Sequence, residues 1–254
     1  MSRTSHGYAS GTAAGDGTMP LPAGGRVAAL RRRLTIGRVR RAGWALMMLA
    51  VLVVAVLNSR FIWIPIREIM HRAVDHLGRD DFQLYFHLWT APAIVVIGGI
   101  GFMPFLRERW PAVHRWGGRV YLTAVLLTAP ATFTLALHET EGPLTVFGFA
   151  TLSLLWFVTA AIAWWHAYNG RHQIHGEWMV RNYALTLTNV TFRAELHFAL
   201  LCGAPFTAVY EPIRVLQFIP NLLIAELLIR SGALTSASWS EWRMRLRRLA
   251  HRAQ

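Results

Sequence analysis

The sequence predicts an all-α integral membrane helix bundle of six transmembrane helices, with both termini cytoplasmic. Three observations predict it. Apolar residues make up 54% of the chain and charged residues 15%, a balance that leaves little polar surface to keep the protein dispersed in water. The apolar residues gather into runs close to the ~20 residues a helix needs to cross a ~30 Å hydrocarbon layer. Arginine concentrates in alternate connections between the runs, the asymmetry that orients membrane proteins.

Taken in order, residues 1–41 read as a disordered, basic N-terminal tail. Its first 25 residues, MSRTSHGYASGTAAGDGTMPLPAGG, are too small and polar to bury a core, and RRRLTIGRVRR follows. The first span, 42–57, reads AGWALMMLAVLVVAVL and carries no charge. LNSRF after it has no small-x-small cleavage pattern, so this span is expected to stay as an anchor. Residues 58–83 form an extracytoplasmic loop with an amphipathic segment, in which RDD offsets the arginines. Residues 84–229 hold a five-helix core, with spans near 84–106, 118–137, 144–165, 178–201 and 212–229. Membrane strands would need only about half that length. Residues 230–254 form a basic amphipathic C-terminal tail, where Trp239, Trp242, Leu246 and Leu249 recur at helical spacing, as in a helix lying in the membrane interface.

Orientation follows from the connections. RERWPAVHRWGGR, between the second and third spans, is basic; HETEGP, after the third, is acidic; GAPFTAVYE, after the fifth, has neither Lys nor Arg. The basic side faces the cytoplasm. The net charge of +13 is then explained by flanks that meet anionic lipid headgroups, without nucleic acid as a partner. Cys202 is the single cysteine, which excludes an internal disulfide, a C-x-x-C pair and c-type haem attachment. No connection is long enough for a soluble catalytic domain, so chemistry must lie in the polar residues that the spans carry.

Those residues concentrate in the fifth span. His175, Met179, Asn182, Thr186, Asn189, Arg193 and His197 follow at alternating steps of three and four and form one helical stripe. Thr186 and Asn189 suit hydrogen bonding between helices. Arg193 calls for a carboxylate or a bound anion, with Glu211 at matching depth, and Arg181 with Glu226 forms a second depth-matched pair. Sorted by depth, His87, His138 and His197 lie near the outer face, and His114, His166, His172 and His175 near the inner one. Neutral imidazole is a metal ligand and an axial ligand of haem iron, so His87 with His197, or His114 with His175, could hold one haem b. His175 and His197 are about 33 Å apart along a helix, too far for two haems in contact. A single haem or metal ion on His114 and His175 remains, with the Met179 thioether one turn away as a soft ligand. The plainer alternative is that edge histidines hydrogen-bond headgroups, carbonyls or carboxylates.

FHLWTAP (86–92), HRWGGRVYL (114–122), HGEWMVRNYAL (175–185), VTFR (190–193) and PNLLIAE (220–226) resemble a bacterial family of predicted multi-spanning membrane proteins of unknown function. Its pattern is a histidine opening one span, then H-R-x-x-G-R-x-Y, then H-x-x-W-M-x-R-x-Y. The resemblance covers residues 84–229 and implies that His87, His114, Arg119, Tyr121, His175, Met179, Arg181, Tyr183, Arg193, Asn221 and Glu226 are the residues to favour. His138, His166 and His197 fall outside its motifs. The pattern is also distantly similar, in architecture only, to four-helix b-type cytochromes and ferric-reductase-like domains. Two function classes follow: a haem b or metal protein exchanging electrons with a quinone or membrane redox partner, or a non-catalytic scaffold or small transporter whose polar stripe is structural.

Overall fold

The computed structural model describes residues 23–69, 71–140 and 142–232, and among them every regular element is helical. The expectations for 1–22 and 233–254 lie outside the described residues. Two compact units divide at Ala45. The described part of the first is the opening of helix α1 (Ala23–Asn58). Helix therefore begins eighteen residues before the expected boundary at 41, because Arg and Ala in 26–41 are strong helix formers that outweigh the charge.

The second unit begins with the last turns of α1, which have two faces. Met48, Val51 and Ala55 are buried, while Leu46, Leu49, Val53 and Val56 are exposed. The expected loop at 58–83 is compact: a 3₁₀ turn at Ser59–Ile62, a single-turn helix α2 (Ile66–Ile69) and a second 3₁₀ turn at His71–His76. Then come α3 (Asp81–Gly101), the short α4 (Pro104–Arg109), α5 (Pro111–Leu137), α6 (Pro143–Tyr168) and α7 (His172–Leu201). Proline at the first or second position opens α4, α5 and α6, where its missing N–H has no intrahelical partner to lose.

Four of these helices form a ring, with α5 against α3 and α6, and α7 against α6 and α3. Short connections at 138–142 and 169–171 make α5, α6 and α7 successively antiparallel. Hence α5 and α7 run parallel on one diagonal. Tyr121, Val125, Ile94, Ala160 and Tyr183 fill the centre and are almost wholly buried. Gly98 lets α3 approach: a Cβ there would stand 2.6 Å from both tyrosine rings.

Helices α8 (Phe206–Leu216) and α9 (Ile219–Arg230) complete the unit, α8 against α6 and α7, and α9 against α7. The sequence reading has one span at 212–229; the structure breaks it at Gln217 and Phe218. Pro220 is the cause, since its ring would collide with the carbonyl four residues back in a continuous helix. The Gln217 side chain turns back and donates to the Arg214 carbonyl at 2.8 Å.

Among the described residues five stretches are long and apolar enough to cross a membrane: Ala42–Ile62, Asp81–Gly101, Pro111–Leu137, Pro143–Tyr168 and Phe206–Arg230. The outward faces of these helices carry large exposed apolar side chains, among them Leu127, Leu154, Trp165, Leu223 and Leu227. Such a continuous apolar surface is a lipid-facing one. Helix α7, expected as the fifth span, is not among the five. At 30 residues it is about 45 Å long, but Glu177, Arg181, Arg193 and Glu195 lower its apolar character. It tolerates them because α3, α6, α8 and α9 surround it.

Candidate functional site

The polar stripe of α7 separates into three levels. At the middle, Tyr121 donates to Asn182 Oδ1 at 2.7 Å and lies 2.8 Å from the Thr186 hydroxyl. Trp156 Nε1 donates to the same hydroxyl at 2.9 Å, and Asn182 Nδ2 donates to the Trp156 carbonyl and to Thr159 Oγ1 at 2.9 and 2.8 Å. Each polar side-chain atom of Asn182 is therefore satisfied, which is what burial of an amide in apolar surroundings requires. Tyr183 reaches the other way and donates to the Val95 carbonyl of α3 at 2.9 Å, and Asn221 of α9 donates to the Ala184 carbonyl at 3.1 Å. These contacts knit α3, α5, α6, α7 and α9 together.

Toward the start of α7 lie the candidate ligands His114 and His175. The Tyr121–Asn182 bond fixes the register of the parallel α5 and α7, and His114 and His175 each stand seven residues before that pair. Seven residues are two turns, so both histidines return to the same face at the same depth. His175 lies within electrostatic reach of His114, and His166 and His172 lie within reach of His175. His175 donates through Nδ1 to the Ala163 carbonyl at 2.8 Å, which fixes its tautomer and leaves the lone pair on Nε2. His114 Nδ1 is buried with no partner among the described residues. Gly118, one turn on from His114, has open space beside it. Met179 packs against the apolar core. Among the described residues no three His, Cys, Asp or Glu side chains converge as metal ligands.

Arg181, also toward the start of α7, is bound by Glu226 of α9 through two contacts, Nε to Oε1 at 2.5 Å and Nη2 to Oε2 at 3.2 Å, and its guanidinium lies 4.8 Å from the Trp178 ring. Arg119 faces outward and stacks on Trp116 at 5.0 Å.

At the outer level the expected partners do not pair. His87 is bonded to Thr132 Oγ1 at 3.1 Å, whereas His197 is exposed and turned onto the Arg193 carbonyl of its own helix. Arg193 donates to Asn58 Oδ1 at 2.8 Å and to Asn189, not to Glu211, whose carboxylate instead lies beside Gly142.

The structure adds a cluster that sequence reading missed. Asp80, 2% exposed, accepts from Nδ1 of His138 at 2.9 Å, from Nδ1 of His76 at 3.3 Å and from Arg79 at 3.2 Å. Arg79 also donates to the His138 carbonyl, so the turn before α3 is tied to the end of α5. Burial pushes the Asp80 carboxyl up, but the hydrogen bonds from His138, His76 and Arg79 outweigh it and hold the group below its ordinary value of 3.8. A carboxyl depressed on folding stabilises the protein above that ordinary value, and the contribution is lost as pH falls through the lower folded value. Melting curves taken from about pH 6 down to about pH 3 should therefore fall more steeply for the natural chain than for Asp80→Asn; parallel curves would show that the carboxylate contributes nothing.

Comparison with curated proteins and with solved structures gives no match. A family model described as Predicted membrane protein (DUF2306) matches residues 84–229, more than half of the 254 residues. That match starts within α3 and ends within α9, and so takes in the whole ring, the central hydrogen bonds and the inner histidines, and the chain belongs to this family of predicted membrane proteins.

Proposed function

We propose that this membrane protein crosses the bacterial cytoplasmic membrane six times with both ends in the cytoplasm, and that its inner histidines, His114 and His175, hold a haem b or metal for electron transfer. The single observation that carries the reading is the matched register of those two residues, seven positions below one hydrogen bond between parallel helices. α7 supplies the sixth crossing: it is long enough, and the three-residue connection from α6 turns it back alongside that helix. The basic connection at 107–119 and the acidic one at 138–142 set the orientation. Reporter fusions after Leu137 and Gly203 should then behave as periplasmic and a fusion after Leu106 as cytoplasmic, and one reversal among the three would break the scheme.

Held by His114 and His175, a haem b would supply one-electron transfer. The chain's own contribution is orientation and shielding. The bond from His175 Nδ1 to Ala163 holds the ring and raises the basicity of Nε2. The bonds around Asn182 tie α5, α6 and α7 together in the middle of the bundle, above the histidines. Exchange with a quinone or another membrane redox partner would occur at the inner edge, where Arg107, Arg109 and Arg115 also meet anionic headgroups.

Protein purified from membranes should show a Soret band with the reduced α absorption of low-spin haem b. His175→Ala and His114→Ala should each abolish or shift it, and His197→Ala should leave it unchanged. Colourless protein after expression with ample haem, with neither iron nor copper by elemental analysis, would overturn the reading. The second reading, a scaffold or small transporter, is favoured by one observation: Asn182 and Thr186, at the centre of the stripe, are fully engaged in holding helices together.

A further inference from the structure

Away from His114 and His175, the opposite end of the bundle holds two arginines for which no ion pair is formed among the described residues. Arg193 stands eight residues before the end of α7, and Arg214 eight residues after the start of α8. Arg193 spends its contacts on neutral groups: the Asn189 carbonyl and side chain and Asn58 Oδ1. The Arg214 guanidinium sits among aromatic rings, 3.4 Å from the centre of Phe149, 4.3 Å from Phe192 and 5.4 Å from Tyr210, whose side chain also bonds to it. Its Nε is buried with no hydrogen-bond partner. The two arginines and His87 lie within electrostatic reach of one another, as does Glu139 of Arg214, but among the described residues no carboxylate forms an ion pair with either arginine. On the adjoining stretch of α6, Thr145 and Ser153 are buried and their hydroxyls are unpartnered.

Two neighbouring guanidiniums in an apolar bundle repel each other, and each has lost water. The aromatic rings of Phe149, Phe192 and Tyr210 offset part of that for Arg214 but bring no negative charge. The unpartnered Nε–H of Arg214 needs an acceptor. A tetrahedral oxyanion supplies both, since it carries charge and offers several acceptor oxygens to the planar fork of arginine. The geometry points to a binding site for a phosphate-type oxyanion at Arg193 and Arg214. The phosphate is carried either by an anionic phospholipid or by a free ion. The site is independent of any group held by His114 and His175.

Full-length protein in a neutral detergent, stripped of lipid, tests this through its melting temperature at constant ionic strength, with chloride as the balancing salt. Inorganic phosphate and phosphatidylglycerol mixed micelles are titrated separately. A saturable rise with phosphate assigns a free ion; a rise with phosphatidylglycerol alone assigns a lipid headgroup. Arg193→Gln and Arg214→Gln should each raise the half-saturating concentration at least about tenfold, whereas Arg119→Gln, at the exposed Trp116 stack, should titrate like the natural chain. If the glutamine variants do not fold, Arg193→Lys and Arg214→Lys decide, because lysine keeps the charge and loses the fork; both should bind severalfold more weakly. No shift with either probe beyond the chloride control, or unchanged titration in the folded variants, would overturn the site.

Discussion

Replacing Glu226 with leucine is expected to lower the stability of the folded protein by about 3 kcal/mol, and most of that loss should disappear when Arg181 is changed to methionine in the same chain. The pair is bidentate, joins α7 to α9, and has side chains 20% and 35% exposed. At the edge of a membrane that exposure is partly to lipid. Removing the carboxylate strands a guanidinium whose remaining neighbour is the Trp178 ring, and Arg230, 4.0 Å from the same carboxylate, loses its contact as well. Removing both charges leaves two apolar side chains where apolar side chains are at home. Denaturant unfolding in mild detergent measures the cycle, and strictly additive losses would show that the two residues act separately.

Gly148→Ala should be about as damaging, near 3 kcal/mol, for a steric reason. A Cβ there would stand 2.7 Å from the Arg214 carbonyl oxygen and 3.0 Å from the Val215 Cα. Both are backbone atoms and cannot rotate aside, so α6 and α8 would have to part. Gly101→Ala is the matched control, because nothing lies within 4 Å of a Cβ at that position. It should be close to neutral, since the strain-free exchange of glycine for alanine chiefly stiffens the unfolded chain. Equal melting temperatures for the two variants would show that the α6–α8 contact is loose.

What the sequence made legible is what depends on neighbours along the chain. Run length and the placement of arginine gave an all-helical membrane protein, and a stripe at helical spacing pointed to Asn182 and Thr186. Residues 23–41 read as tail yet are helical, because the arginine that marks a basic flank is also a strong helix former. The α8–α9 break hid inside one apolar run, where Pro220 was the available signal. The Arg214 cage draws its rings from three helices, and Asp80 meets His138 across 58 positions. No periodicity reports such encounters, because topology creates them.

The polar character of α7 also bears on how the chain enters the membrane. As a crossing it would bring two arginines and two glutamates into hydrocarbon, each charged group opposing insertion by about 2.5–3.5 kcal/mol near the centre of a lone helix. Such a segment does not partition into lipid by itself. Helix α6, just three residues upstream and among the most apolar of the chain, offers it a companion, and the bonds of Asn182 to Trp156 and Thr159 are contacts that the α6–α7 hairpin can make before later helices arrive. The polarity of α7 would thus make it a passenger during biogenesis, dependent on the helix synthesised immediately before it.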